Sequence, residues 1–233
     1  MDQTLTINFL TELRKRLILS LLVLAILFFV TLYFSNQLYT WLALPLIKQL
    51  PQKHLIATNL VSAFFTPFEL AFYVAIFLAM PVFLYHIWAF IAPALYPQEK
   101  RAIWPLLLGT IILFYLGILF TYAAIFPILF AFLTHAAPSG VQVMPDISQY
   151  LEFTLKLFLI FGVIFEIPVM VIVLVKTKMI TREKLIALRP YIIVSAFVMG
   201  MLLAPPDVLS QTLVALPLWW LYEFGLFLLR FIK

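Results

Sequence analysis

The chain has 233 residues, 65% of them apolar and 11% charged, with 15 Lys and Arg against 10 Asp and Glu and a mean hydropathy of +1.12. Soluble domains run near about 45–50% apolar and about 25% charged, so this composition excludes an ordinary water-facing surface. The sequence holds no cysteine, which excludes disulfides, thiolate chemistry and cysteine-containing metal sites.

Crossing a bilayer takes roughly 20 apolar residues at about 1.5 Å each. The first stretch that qualifies covers residues 17–34, directly after Arg14, Lys15 and Arg16. A positive flank before an apolar run also suits a secretory signal. This stretch lacks a compelling small-x-small cleavage site and the rest of the chain is equally apolar, so it reads as a retained span. Residues 35–66 are broken by Asn36, Pro45, Lys48, Pro51, Lys53 and Asn59, and predict short amphipathic or re-entrant segments outside the bilayer core. The second span is predicted over 68–89 with Pro81 inside it. A polar connection containing Pro93, Pro97, Gln98, Glu99, Lys100 and Arg101 follows. The third span covers 105–133, with Pro127 near its far end, and the fourth covers 150–175, with Glu166 before Pro168. Beyond the basic stretch KTKMITREKLIALR come two shorter spans, 190–203 and 209–229, joined by the turn APPD. The fifth is too short for an average bilayer and predicts local thinning or shielding by neighbouring protein. The expected fold is an all-α integral membrane protein, a six-span helical bundle forming a single transmembrane domain over residues 1–233.

Basic residues fix the expected orientation. Twelve of the 15 Lys and Arg lie in the amino-terminal tail, the second and fourth loops and the carboxy-terminal end, whereas Lys48 and Lys53 alone lie in the first, third and fifth loops. The positive-inside rule then places both termini in the cytoplasm.

Catalytic signatures are missing. His54, His86 and His135 are far apart with no HExxH, none of the six glycines forms a P-loop, and there is no GxSxG elbow. No catalytic residue, metal or cofactor is expected. The carboxylates are more informative. Glu166 lies deep in the fourth span, where an ionised group must be paired, hydrated or protonated, so it reads either as a functional polar element or as a structural hydrogen-bonding group. Glu223 admits the same two readings closer to an interface. Asp207, ending APPD, can cap the last helix. Glu12 and Glu99 each sit among basic residues, which suits surface ion pairing. Two membrane-proximal carboxylates on one side also suit a ligand with two arginines, since each guanidinium presents a planar donor fork.

Five stretches resemble the TatC family, the multispan subunit of the twin-arginine protein translocase: LTELRKRL at 10–17, FFTPFEL at 64–70, PVFLYHIWAFIAPALYPQEKR at 81–101, FGVIFEIPV at 161–169 and RPYIIVSAFVMGMLLAPPDVLSQTLVALP at 189–217. They recur in order over most of the chain. The resemblance implies a glove-shaped receptor in the bacterial cytoplasmic membrane that binds twin-arginine signal peptides and helps export folded proteins, driven by the proton-motive force. It implies signal-peptide binding by Glu12 and Glu99, with Arg14, Arg16, Phe90 and Pro93 matching the same recognition pattern. Glu166 then carries over as an intramembrane polar contact, and Asp207 and Gln211 as part of a partner-contact segment. Implied partners are single-span TatA- and TatB-type subunits, further copies of the chain and membrane lipid, with no nucleic acid. One departure stands out: many relatives have His where this chain has Phe9, which removes a titratable group from the edge of the recognition site. The competing readings are a proton- or ion-coupled small-solute transporter using Glu166 and Glu223, and a scaffold without ligand selectivity. The transporter would be favoured by duplicated spans, which the sequence lacks.

Overall fold

The structure is a computed structural model that describes residues 3–48, 56–91, 103–135, 146–203 and 207–231. It is all-helical apart from an isolated parallel bridge between Ile56 and Asp146. Among the described residues, five helical segments are long and apolar enough to cross a membrane: Thr11–Tyr33, Phe64–Phe90, Trp104–Phe132, Ile147–Lys176 and Val208–Leu228, with a shorter apolar helix over Arg189–Leu202. The all-α membrane class expected from the sequence is therefore the observed one. The chain divides into two compact bodies, residues 1–107 with 144–155, and 108–143 with 156–233.

The first body is organised around two long helices. Helix α1, Gln3–Tyr33, continues unbroken through the charged LTELRKRL stretch, so the amino-terminal motif is helical and extends the expected span by several turns. It ends at Phe34, whose N–H reaches back to the Thr31 carbonyl, and α2, Ser35–Ile47, begins at once. This is the short helix that the broken 35–66 interval predicts. Helix α3, Leu60–Ile91, carries Pro67 and Pro81. Its Ala71, Ala75 and Ala79, spaced one turn apart, are fully buried. Small side chains allow close approach of helix backbones where lipid offers no hydrophobic drive to associate. Thr31 of α1 exploits that approach by donating to the Ala71 carbonyl at 2.8 Å.

A polar clamp closes this body. Asp146 precedes α6, Ile147–Ile164, and one carboxylate oxygen, Oδ1, accepts from the N–H groups of Ser148 (2.9 Å) and Gln149 (3.2 Å), capping orphan donors of the first turn. The other, Oδ2, accepts from the Thr58 hydroxyl (2.6 Å) and the Thr58 N–H (2.8 Å), 88 residues away in sequence. The Ile147 N–H completes the clamp on the Ile56 carbonyl at 2.8 Å, and the buried Tyr150 hydroxyl ties α6 to the Leu42 carbonyl of α2 at 2.6 Å. The Thr58 hydroxyl, together with the backbone donors, holds the Asp146 carboxyl well below the usual carboxylate range, against the opposing effect of burial.

The remaining helices belong to the second body, apart from residues 103–107 at the start of the first of them. Helix α4, Ile103–Phe120, passes into a π-helical turn over Thr121–Ile125 and then α5, Phe126–His135. Pro127 explains the turn. Proline has no N–H and its ring crowds the preceding carbonyls, so the ladder widens and the Phe126 N–H bonds to the Thr121 carbonyl, five residues back. A Cβ added at Gly117 would lie 2.5 Å from the Phe161 carbonyl oxygen, so only glycine lets α4 approach α6 there. Phe126 stacks at 5.0 Å ring-centroid distance on both Phe130 and Phe158 beside it.

Helix α7, Ile167–Lys176, follows α6 after a break at Phe165 and Glu166, with Pro168 in its first turn. It ends where Lys178 adopts φ 56°, a left-handed conformation usually left to glycine, and the Met179 and Ile180 N–H groups return to the Leu174 carbonyl. Helix α8, Arg182–Ala187, is capped by Thr181. The Tyr222 hydroxyl binds the α8 carbonyl of Leu185 at 2.7 Å. Helices α9, Arg189–Leu203, and α10, Val208–Leu228, form the last pair. At 15 residues α9 is about 22 Å long against a hydrocarbon core of about 30 Å, which matches the short fifth span expected.

Replacing Asp146 with Asn puts an amide donor against the donors of Thr58 and is expected to cost about 2 kcal/mol of stability at neutral pH. Because the folded carboxyl titrates below its unfolded value of about 3.9, its contribution is complete above that pH and fades as pH falls toward the folded value. Thermal unfolding of the parent and Asp146→Asn in detergent should therefore show a gap that narrows only below about pH 4.

Candidate functional site

The amino-terminal recognition candidates lie on one exposed stretch of α1. Glu12 and Arg16, one turn apart, form an ion pair in which the Arg16 Nε donates to Glu12 Oε1 at 3.1 Å and a second guanidinium N–H donates to the same oxygen. The Glu12 side chain stays 52% exposed. Such a pair contributes little stability at a surface, but it holds the carboxylate in a fixed direction. Arg14, between them, is exposed. Arg16 also lies near enough to His86 of α3 for its charge to act on the imidazole, and the His86 Nδ1 is buried with no hydrogen-bond partner among the described residues. Phe90 sits one turn beyond His86, half-buried in the last turn of α3. The structure thus brings the α1 motif to the end of α3 that leads into the polar connection. Pro93 and Glu99 fall outside the described residues. Sequence reasoning passed over His86 except as a metal ligand. Its spacing of four from Phe90, inside the aromatic run YHIWAF, was the available signal.

Glu166 is the second element. It sits at the break between α6 and α7 and is 9% exposed, and neither carboxylate oxygen has a hydrogen-bond partner among the described residues. Its backbone is fully engaged: its N–H bonds to Val163 and its carbonyl accepts from Met170. The break follows from Pro168, which cannot donate to the carbonyl of Ile164. A Cβ at Gly225 of α10 would come within 3.0 Å of the Pro168 Cα, so glycine lets α10 pack tightly against the start of α7. An apolar groove of ≈ 370 Å³, lined by Phe120, Phe165, Trp219 and neighbours on α10, opens in the same body.

Asp207 and Gln211 form the third element. Asp207, in extended conformation, accepts from the Ser210 N–H at 2.7 Å and caps α10. The Gln211 N–H bonds to the Asp207 carbonyl, and its side-chain amide donates to the Phe197 carbonyl of α9 at 2.9 Å. A Cβ at Gly200 would lie 2.7 Å from the Gln211 carbonyl oxygen, so α9 and α10 are in close contact there. The two residues therefore shape the α9–α10 hairpin directly. Glu223 forms an ion pair with Arg189 at 2.6 Å, with both side chains part-exposed. The sequence left Glu223 open and did not single out Arg189. Among the described residues, no three His, Asp or Glu side chains gather as a metal site would require.

Comparison with known proteins decides the family. The family model for the Sec-independent protein translocase protein TatC matches residues 8–217. The chain belongs to the TatC family. The TatC of Escherichia coli K12 is 50% identical over 97% of this chain and 88% of its own length, and that of Haemophilus influenzae is 51% identical over the same shares. A crystal structure of a twin-arginine translocase receptor, TatC, superposes with TM-score 0.85 at 41% identity, covering 96% of this chain and 98% of the other. The multi-pass helical membrane architecture of this TatC chain agrees with that match.

Separating the capping role of Asp207 from any contact role needs two variants. Asp207→Asn keeps an acceptor for the Ser210 N–H and should melt close to the parent, whereas Asp207→Ala should melt a few degrees lower. A thermal unfolding series in one detergent checks this. Melting of Asp207→Ala at the parent's temperature would show that the cap contributes nothing.

Proposed function

We propose that this TatC chain is the signal-peptide receptor and core scaffold of a twin-arginine translocase that exports folded proteins across the bacterial cytoplasmic membrane, driven by the proton-motive force. The observation that carries this reading is the match over 96% of the chain to a twin-arginine translocase receptor at TM-score 0.85. The chain acts as a single transmembrane domain with both termini in the cytoplasm, as the distribution of Lys and Arg favours. It binds and positions rather than catalyses, and takes no cofactor or metal.

Recognition rests on charge-assisted, planar hydrogen bonding. The signal peptide's arginines dock against Glu12 and Glu99, with Arg14 and Arg16 setting the local charge and Phe90 and Pro93 shaping the apolar rim. The exposed Glu12 carboxylate is already oriented by Arg16, so an incoming guanidinium meets an acceptor whose direction is set. A lysine ammonium supplies the same charge without the bidentate fork. The apolar part of the signal then enters the membrane beside the bundle. Glu166 offers its unpartnered carboxyl to that segment or to a single-span TatA- or TatB-type subunit, a contact worth about 0.6–2 kcal/mol, too little to assemble a complex alone. Asp207 and Gln211 hold the α9–α10 hairpin that presents a partner surface, and further copies of the chain complete the assembly. The solute-transporter reading loses ground to the translocase relatives that match nearly the whole chain, and Glu223 is engaged by Arg189.

The test is equilibrium binding of labelled Arg-Arg and Lys-Lys signal peptides to the protein in lipid nanodiscs. Arg-Arg peptides should bind preferentially, and Glu12→Ala and Glu99→Ala should each weaken binding roughly ten-fold or more, as loss of a hydrogen bond to a charged group implies. Preference for Arg-Arg that survives both substitutions would remove the assignment of these carboxylates.

A further inference from the structure

A cavity that the signal-peptide reading does not use carries charge on its wall. It lies in the second body between α8 and the ends of α9 and α10, with a volume of ≈ 420 Å³. Three arginines line it, Arg182, Arg189 and Arg230, against a single carboxylate, Glu223. Glu223 is committed to Arg189 at 2.6 Å, and among the described residues no other carboxylate lines the wall beside Arg182 and Arg230. The Nε groups of Arg182 and Arg189 are buried and have no acceptor among the described residues. The exposed Arg230 guanidinium lies 6.0 Å over the Phe227 ring, a contact made through the face of the guanidinium. An anion with several oxygens is the ligand that such a donor set lacks.

The rest of the wall selects among anions. Trp219 and Trp220 line the cavity, and Trp220 is 73% exposed on the outer face of a helix that spans the membrane over Val208–Leu228. Arg230 stands just past the end of that span, and Arg182 stands on the short helix next to it. The cavity therefore straddles the end of a span, with guanidinium donors at headgroup depth and aromatic surface running toward the hydrocarbon. A free anion would use only the first half. An acidic peptide would have to desolvate its backbone against the second. Basic pockets between spanning helices at this depth suit phospholipid headgroups.

We propose that this cavity is a binding site for an anionic phospholipid, whose phosphate is held by Arg182 and Arg230 beside the Arg189–Glu223 pair and whose acyl chain lies along Trp219 and Trp220. The pair acts as a spacer that keeps Arg189 in place while the two outer arginines provide the net attraction. The site is built from other residues than those of α1 and α3 assigned to the signal peptide, and its occupancy does not require that assignment to hold.

The two tryptophans report on the site directly. With Trp41, Trp88 and Trp104 replaced by Phe, only Trp219 and Trp220 fluoresce. The protein is reconstituted in phosphatidylcholine and titrated with acyl-brominated phosphatidylglycerol or with acyl-brominated phosphatidylcholine. Quenching should reach its midpoint at a mole fraction roughly 25-fold lower for the anionic lipid, since each of the two outer arginines contributes about a five-fold preference near a membrane surface. Arg182→Gln with Arg230→Gln should abolish the difference, and Lys176→Gln, which removes a charge at the end of α7 outside the cavity lining, should keep it. Arg182→Lys with Arg230→Lys retains the charge and should keep most of the preference, which separates lost binding from lost folding. Equal quenching by the two lipids, or a preference unchanged in the double Gln variant, would overturn the proposal. Relief of quenching by millimolar inorganic phosphate would overturn it in favour of a site for soluble anions.

Discussion

Every N–H and C=O that enters the hydrocarbon must find a partner within the protein, and the architecture follows from where this chain meets that demand and where it cannot. Continuous helix satisfies it along most of the length. The prolines are the points of tension, because each removes a donor and leaves a carbonyl unbonded. At Pro127 the ladder widens into a π-turn and the Phe126 N–H moves to an acceptor five residues back. At Pro168 the helix breaks instead, and the break sets Glu166 at the junction. Outside the spans the loops have to close on themselves, and Asp146 does this by giving one carboxylate oxygen to its own helix and the other to Thr58.

The same constraint sorts the charges. The ionisable groups are few, and several of those in the structure fall into two kinds. Some are engaged locally: Glu223 by Arg189 and Asp146 by Thr58 and backbone donors, while Glu12 gives one oxygen to Arg16 and Asp207 one oxygen to the Ser210 N–H. Others have valence to spare. Among the described residues, Glu166 has two unpartnered oxygens in a buried setting, and Arg182 carries a buried donor without an acceptor. Unsatisfied buried polar groups are costly in isolation, so their retention directs attention to ligands and partner helices that would complete them.

The spans were legible because apolar runs of bilayer length leave little choice, and the short fifth span could be read from residue spacing alone. The recognition motifs were legible because five of them recur in order. Local periodicity could not show the helical continuation of α1 through its charges, since a charged run reads as a loop until Glu12 and Arg16 are seen one turn apart on a helix. Contacts between distant segments were invisible for a plainer reason. Thr58 and Asp146 are 88 residues apart, and Arg189 and Glu223 are 34 apart, and neither residue of either pair has a pattern that names its partner. The π-turn was hinted at by Pro127, but kink, break and widened ladder are alternative responses to one proline, and packing against Phe158 and Phe161 belongs to the fold rather than to the local sequence.

The central claim is that a twin-arginine signal docks on the surface built from the start of α1 and the end of α3. A signal peptide carrying a photoreactive group beside its arginine pair, crosslinked in nanodiscs and mapped by mass spectrometry, locates the contact without perturbing the receptor. Crosslinks concentrated in residues 9–17 and 86–101, and lost when the arginines are replaced by lysines, are the expected result. Crosslinks concentrated around residues 56–60 or 207–211 instead, or indifferent to that replacement, would contradict it.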